Sequence, residues 1–111
     1  MWICLNDAFL SIVTDRTQPD RLLVRARRRG DIERVFADAI VNENTKTDYR
    51  YRTHLSRATV ANTLSTRIAE IDYPNFKASV SDTKRHAAYF HLWDVMYRYQ
   101  ENILETEEAN R

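Results

Sequence analysis

Two stretches of the chain alternate arginine with apolar or aromatic residues: Leu22-Leu23-Val24-Arg25-Ala26-Arg27 and Tyr49-Arg50-Tyr51-Arg52-Thr53-His54-Leu55. A period of two marks a strand with one face in a core and one in water. Phe9 to Val13 reads as a further strand, with Trp2 to Leu5 as a candidate extension of it. The polar segment Asp15 to Asp20, broken by Pro19, separates it from the strand Leu22 to Arg28. Residues 9–28 therefore read as a hairpin with a longer loop. Gly30 is the only glycine in the chain. It is expected to let the chain turn sharply into a short helix capped by Asp31, with Ile32, Val35 and Phe36 on its apolar side. Ala39-Ile40-Val41 is the third predicted strand, 42–48 a polar loop, and Tyr49 to Leu55 the fourth strand.

Beyond Leu55 the apolar period lengthens to that of a helix. Ser56 is a suitable cap, and Val60, Leu64, Ile68 and Ile71 predict an amphipathic helix over 57–71. Pro74 disfavours helix at Tyr73 and ends it. The last helix is predicted from Ser81 or Asp82 to about Leu104. Its apolar positions are Tyr89, Leu92, Trp93, Met96, Tyr97 or Tyr99, and Ile103. Glu105 to Arg111 reads as a polar tail that frays. Short connections make the sheet mostly antiparallel. The two long helices need a surface for their apolar stripes, so they are expected to cover one sheet face. The predicted architecture is an α+β two-layer sandwich. It has a four-stranded, mostly antiparallel sheet, two longer C-terminal helices on one face, and one short helix between the second and third strands. Residues 1–104 are expected to form a single domain, with 105–111 as its tail.

With 111 residues, 43% hydrophobic and 30% charged, the chain suits one soluble domain with a modest core. Lys+Arg 17 against Asp+Glu 16 leaves a net charge of +1, so an acidic partner could be met only through uneven placement of charge. The placement is uneven. Residues 21–29 carry Arg21, Arg25, Arg27, Arg28 and Arg29 with no acid, and 101–108 carry Glu101, Glu105, Glu107 and Glu108 with no base. Arginine predominates over lysine, which favours planar, bidentate contact with phosphate or carboxylate; a GC-rich coding sequence produces the same bias. One cysteine, Cys4, excludes an internal disulfide and a thiolate zinc cluster. The N-terminus lacks a basic stretch and Asp7 interrupts its apolar run, so no signal peptide is expected. No window approaches the roughly 18 apolar residues of a membrane span. The expected location is the cytoplasm, with no membrane partner.

The candidate binding site follows from the strands. If they share a sheet, Arg25, Arg27, Arg50, Arg52 and His54 fall on its open face, with Arg28 and Arg29 at the strand end. Strands lie about 4.8 Å apart, so such a cluster is self-repelling unless acids interleave or an anion arrives. Tyr49 and Tyr51 alternate with the arginines and are expected to point into the core, which disfavours base stacking. Phosphate contact or an acidic protein surface remains. A second candidate is the aromatic helix, where Phe90, Trp93 and Tyr97 cover more than one helical side and could serve a protein interface or a homodimer. His86 and His91 are five apart, not the four of a helical metal pair, and no third ligand is evident. One glycine cannot build a phosphate loop, and no nucleophile elbow is present, so no enzyme and no cofactor is implied. Arg85 to His91 has the Arg-x5-His spacing of HEPN-type ribonucleases, and this resemblance would assign those two residues acid–base and charge-stabilising roles. Against it, that family is an all-helical bundle, whereas half of this chain reads as strand.

Three segments carry a wider resemblance: Leu5-Asn6-Asp7-Ala8-Phe9-Leu10-Ser11-Ile12-Val13, Leu22 through Phe36, and Ile71-Asp72-Tyr73-Pro74-Asn75-Phe76-Lys77. Together they resemble a family of small bacterial and prophage proteins, over most of the chain up to about residue 99. No catalytic or binding residues accompany these motifs. The resemblance implies a protein carried by mobile elements. Small phage-encoded domains of this kind are often inhibitors or adaptors that bind a host protein or nucleoprotein, anti-CRISPR proteins among them. The sequence thus leads to a non-enzymatic binding protein docking through its arginine face. Direct DNA or RNA binding by that face is the first alternative, and a ribonuclease using Arg85 and His91 the second.

Overall fold

Asn6 and Asp7 break the apolar N-terminal run, and the chain reverses there. The Leu5 N–H bonds to the Ala8 carbonyl at 2.8 Å, closing a tight turn. Trp2–Cys4 is therefore a strand of its own, β1, paired antiparallel with β2, Phe9–Thr14, and not an extension of it. The computed structural model describes all 111 residues. The remaining strands are β3, Arg21–Ala26, β4, Asn42–Glu43, and β5, Tyr51–Ser56. The helices are α1, Asp31–Val35, α2, Arg57–Ala69, and α3, Thr83–Ala109, with a single 3-10 turn at Lys77–Ser79. The α+β class is as expected. The sheet is open and entirely antiparallel, with five strands where four were predicted, in the order β1-β2-β3-β5-β4. The chain divides into two compact units, Met1–Pro74 and Asn75–Arg111.

Alternation sorts the first unit. Leu10, Ile12, Val24, Ala26 and Tyr51 point to one sheet face and are buried with Ile32, Val35 and Phe36 of the α1 region and Val60 of α2. The register sets Ser11 opposite Arg25 and Arg25 opposite Arg52, so these three share the other face. Gly30 itself is the residue before α1, with φ 91°, a conformation open to glycine and strained for other residues. Asp31 is inside the helix, not its cap. Its carboxylate accepts the Phe9 N–H at 3.0 Å and the Arg34 guanidinium at 2.8 Å, tying α1 to β2.

The predicted strand at Ala39 to Val41 does not form. Ala39 turns back to bond the Phe36 carbonyl, and Ile40 is 83% exposed. The edge ladder uses the next two residues, Asn42 and Glu43, from the stretch expected to be loop. An edge strand has one open side and can carry polar side chains without desolvating them. α2 starts as predicted, with the Ser56 hydroxyl accepting the Thr59 N–H at 3.1 Å. It ends at Ala69, and of its expected stripe only Val60 and Leu64 join the core, while Ile68 and Ile71 stay exposed.

In the second unit Asp82 caps α3, accepting the Arg85 N–H at 2.8 Å. The Phe76 ring stacks on Tyr89 at 5.5 Å. The helix continues past Leu104 to Ala109, because Glu105 to Ala109 contains no helix breaker. The expected fraying tail is therefore its last turns. No helix is long and apolar enough to cross a membrane.

Candidate functional site

β3 and β5 lie side by side, and their register sets Arg25 directly against Arg52. Arg27, Arg28 and Arg29 follow the end of β3, and Arg50 precedes β5. Tyr49 also precedes β5, in a bend, so the strict alternation does not reach it. Its ring lies under the arginines, with the Arg25 guanidinium 4.5 Å and the Arg27 guanidinium 4.1 Å from its centre. Only Tyr51 enters the core as expected. Tyr49 is buried all the same, a cation–π platform beneath two arginines rather than a surface open to a base.

Carboxylates answer much of the positive charge. Arg27 pairs with Asp48 at 3.1 Å. Glu43 receives both Arg50 at 2.8 Å and Arg29 at 3.2 Å. The hydrogen bond from Arg50, with the nearby Arg29 charge, holds Glu43 below the usual glutamate range. The Asp48 carboxylate raises the basicity of Arg27 in the same way. His54 Nδ1 lies 2.9 Å from Asp15, which also binds Arg21 at 3.0 Å. Glu43 and Asp48 belong to the stretch predicted as a polar loop, a reading that gives them no role at the site. The available signal was their position, as the acids nearest in sequence to the arginine strand that the loop leads into.

Two arginines escape this pairing. Arg25 donates to the Ser11 hydroxyl at 2.7 Å, and its Nε is buried with no hydrogen-bond partner. Arg52 donates to the Tyr49 carbonyl at 3.3 Å. Neither has a carboxylate. The cationic site of the first unit thus contracts to Arg25 and Arg52, with paired arginines around them.

The aromatic candidates do come together. Phe90, Trp93 and Tyr97 form a continuous stack along α3, with ring centres 6.2 and 5.5 Å apart. They are 49%, 48% and 49% exposed. The Lys77 ammonium sits 4.1 Å from the centre of the Trp93 ring and 5.6 Å from that of Phe90. The neighbouring stripe, expected to be packed, is also open beyond Tyr89: Leu92, Met96, Tyr99 and Ile103 are 38%, 52%, 59% and 44% exposed. Arg85 is buried and His91 exposed. Six helical residues set them about 9 Å apart along the axis and about 120° apart around it, so the helix does not bring them together.

A cleft of about 460 Å³ opens in the first unit, lined by Ile3, Leu5, Leu64, Ile68, Ile71 and Tyr73 among others. Arg67 stands at its wall, already bonded to Asp7 at 3.0 Å and to the Arg34 carbonyl at 3.2 Å. Burial raises the pKa of the Cys4 thiol, consistent with an inert, half-buried residue. Compared with protein-family models, curated proteins and solved structures, the chain finds no match in any of the three.

Proposed function

We propose that this chain is a non-enzymatic interaction protein that acts by occupying a partner's surface through the aromatic side of α3. The observation that supports it is the half-open stack of Phe90, Trp93 and Tyr97. Soluble proteins rarely leave a contiguous apolar patch open without a use for it. Aromatic side chains held flat by stacking lose little further freedom on binding and dominate the centres of interfaces. The resemblance to prophage-borne proteins supports a role as an inhibitor or adaptor of host machinery, with anti-CRISPR inhibition as one form of it. Affinity capture with the wild type, a Trp93→Ala, Tyr97→Ala variant and an Arg25→Glu, Arg52→Glu variant tests this. A partner lost only with the aromatic variant is the expected result. Equal recovery by the wild type and the aromatic variant overturns it.

A second reading is binding of a polyanion at Arg25 and Arg52, favoured by two adjacent guanidinium groups without a carboxylate. Titration against duplex and single-stranded nucleic acid at rising salt tests it. Affinity that falls steeply with salt supports it, and no binding at low salt removes it.

A further inference from the structure

We infer that the partner of α3 is a second copy of this chain, the two helices running antiparallel; this rests on reading α3 as an interaction face. Tyr89, Leu92, Met96, Tyr99 and Ile103 recur at alternating intervals of three and four. That is the seam spacing of a helix that packs lengthwise on another helix. Phe90, Trp93, Tyr97 and Leu104 repeat the same intervals, apart from Gln100, one position round, and widen the seam on one side. From Leu92 onward both rows are open to solvent.

The charges select a second copy and its direction. Up to Arg98, α3 carries Lys84, His86, His91 and Arg98, besides the buried Arg85, against a single acid, Asp94, which pairs with Arg98 at 3.1 Å. From Glu101 to its end the helix carries Glu101, Glu105, Glu107 and Glu108 and no base. This opposes the helix dipole: no acid lies in the first turn and no base in the last. An antiparallel copy offsets both ends, since each basic end lies beside an acidic end and the dipoles oppose. A parallel copy would set glutamates against glutamates. A two-fold axis makes the antiparallel arrangement self-complementary. With Met96 packed on the copy's Tyr99, Ile103 meets the copy's Leu92, and Glu107 falls beside the copy's His86.

Light scattering and sedimentation of the full chain read the outcome. The wild type is expected at twice 13.2 kDa and a Met96→Lys, Ile103→Lys variant at the single mass, with unchanged helical circular dichroism. Both substituted positions are exposed in one copy, so the fold tolerates them. Direction is read by oxidation in a Cys4→Ala background. A His86→Cys chain mixed with a Glu107→Cys chain is expected to cross-link, and a disulfide formed by each variant alone but not by the mixture overturns the antiparallel arrangement. A wild type that stays monomeric up to about 100 μM overturns the inference, as does a dimer that survives Met96→Lys, Ile103→Lys. If the chain is monomeric but Trp93→Ala, Tyr97→Ala still loses a captured partner, the inference falls and the interaction reading stands. If it is monomeric and nothing depends on α3, both fall.

Discussion

Asp15 fastens the β2–β3 loop to the face that carries Arg52. Its Oδ1 accepts the Thr17 N–H and hydroxyl, each at 2.9 Å, and the Gln18 N–H at 3.3 Å. Its Oδ2 accepts the Arg21 guanidinium at 3.0 Å and lies against His54. The Thr17 N–H, chiefly, holds this carboxyl well below the usual aspartate range. A carboxyl with a depressed folded pKa stabilises the fold above its unfolded value of about 3.9 and ceases to as pH falls toward the folded value. Asp15→Asn is thus expected to be less stable than the wild type at pH 7, with the gap narrowing below about pH 4. Urea titrations of both proteins across pH check this; a gap constant with pH would show that ionisation of Asp15 contributes nothing. Gly30→Ala meets a different constraint. Its φ of 91° disfavours any Cβ, and the new methyl would lie 3.3 Å from the Arg34 guanidinium. A loss of about 1 kcal/mol is expected, read as a lower urea midpoint at unchanged slope. Glu43→Gln removes the acid that Arg29 and Arg50 share. If the arginine face takes a polyanion, this variant binds nucleic acid more tightly than the wild type at equal salt, by about tenfold if one charge contact is gained at roughly 1.4 kcal/mol.

At the scale of elements, the sequence was most legible where two faces of one element meet different surroundings. β3 and β5 alternate because one side is core and the other solvent, so Val24, Ala26, Tyr51 and the arginines sort themselves. The same rule misled at the margins. Three-residue β1 is too short to show a period, and only the turn at Asn6 and Asp7 separates it from β2. β4 pairs through backbone at an edge, so the apolar Ala39 to Val41 drew the assignment away from Asn42 and Glu43. Tyr49 alternates in sequence but precedes the strand, and its ring went to the arginine side. Ion pairs depend on which loop acid folds over which strand, and no local pattern encodes that. The aromatic candidates on α3 were legible because helical spacing alone brings Phe90, Trp93 and Tyr97 into line; their openness was not, since a stripe reads alike whether covered or bare. These distinctions have measurable consequences. Leu10→Ala, fully buried in β2, is expected to cost about 3 kcal/mol. Ile40→Ser, in the apolar stretch that forms no strand, is expected within about 0.5 kcal/mol of the wild type. Denaturant midpoints of the two variants decide it, and a large loss at Ile40 would restore the third strand to its predicted place.

For the molecule as a whole, the net charge of +1 conceals a segregation. The arginine run at 21–29 belongs to the first compact unit and the glutamate run at 101–108 to the second. Hydrophobic burial is divided as unequally. Every residue of the core cluster, from Ile3 to Leu64, lies before Pro74, and it draws on β1, β2, β3 and β5 of the five strands and on α1 and α2. The second unit contributes no residue to that cluster. A sheet closed by its own two helices has what it needs to fold, although a domain this short buries a smaller share of its surface and is correspondingly marginal. The fragment ending at Pro74 is therefore expected to keep strand circular dichroism and a cooperative thermal transition. It should also lose any self-association, because α3 is gone. The two readouts are separate. A fragment that melts without cooperativity would show that the core needs residues after Pro74, while a cooperative fragment that still associates would move the self-pairing surface from α3 to the sheet unit.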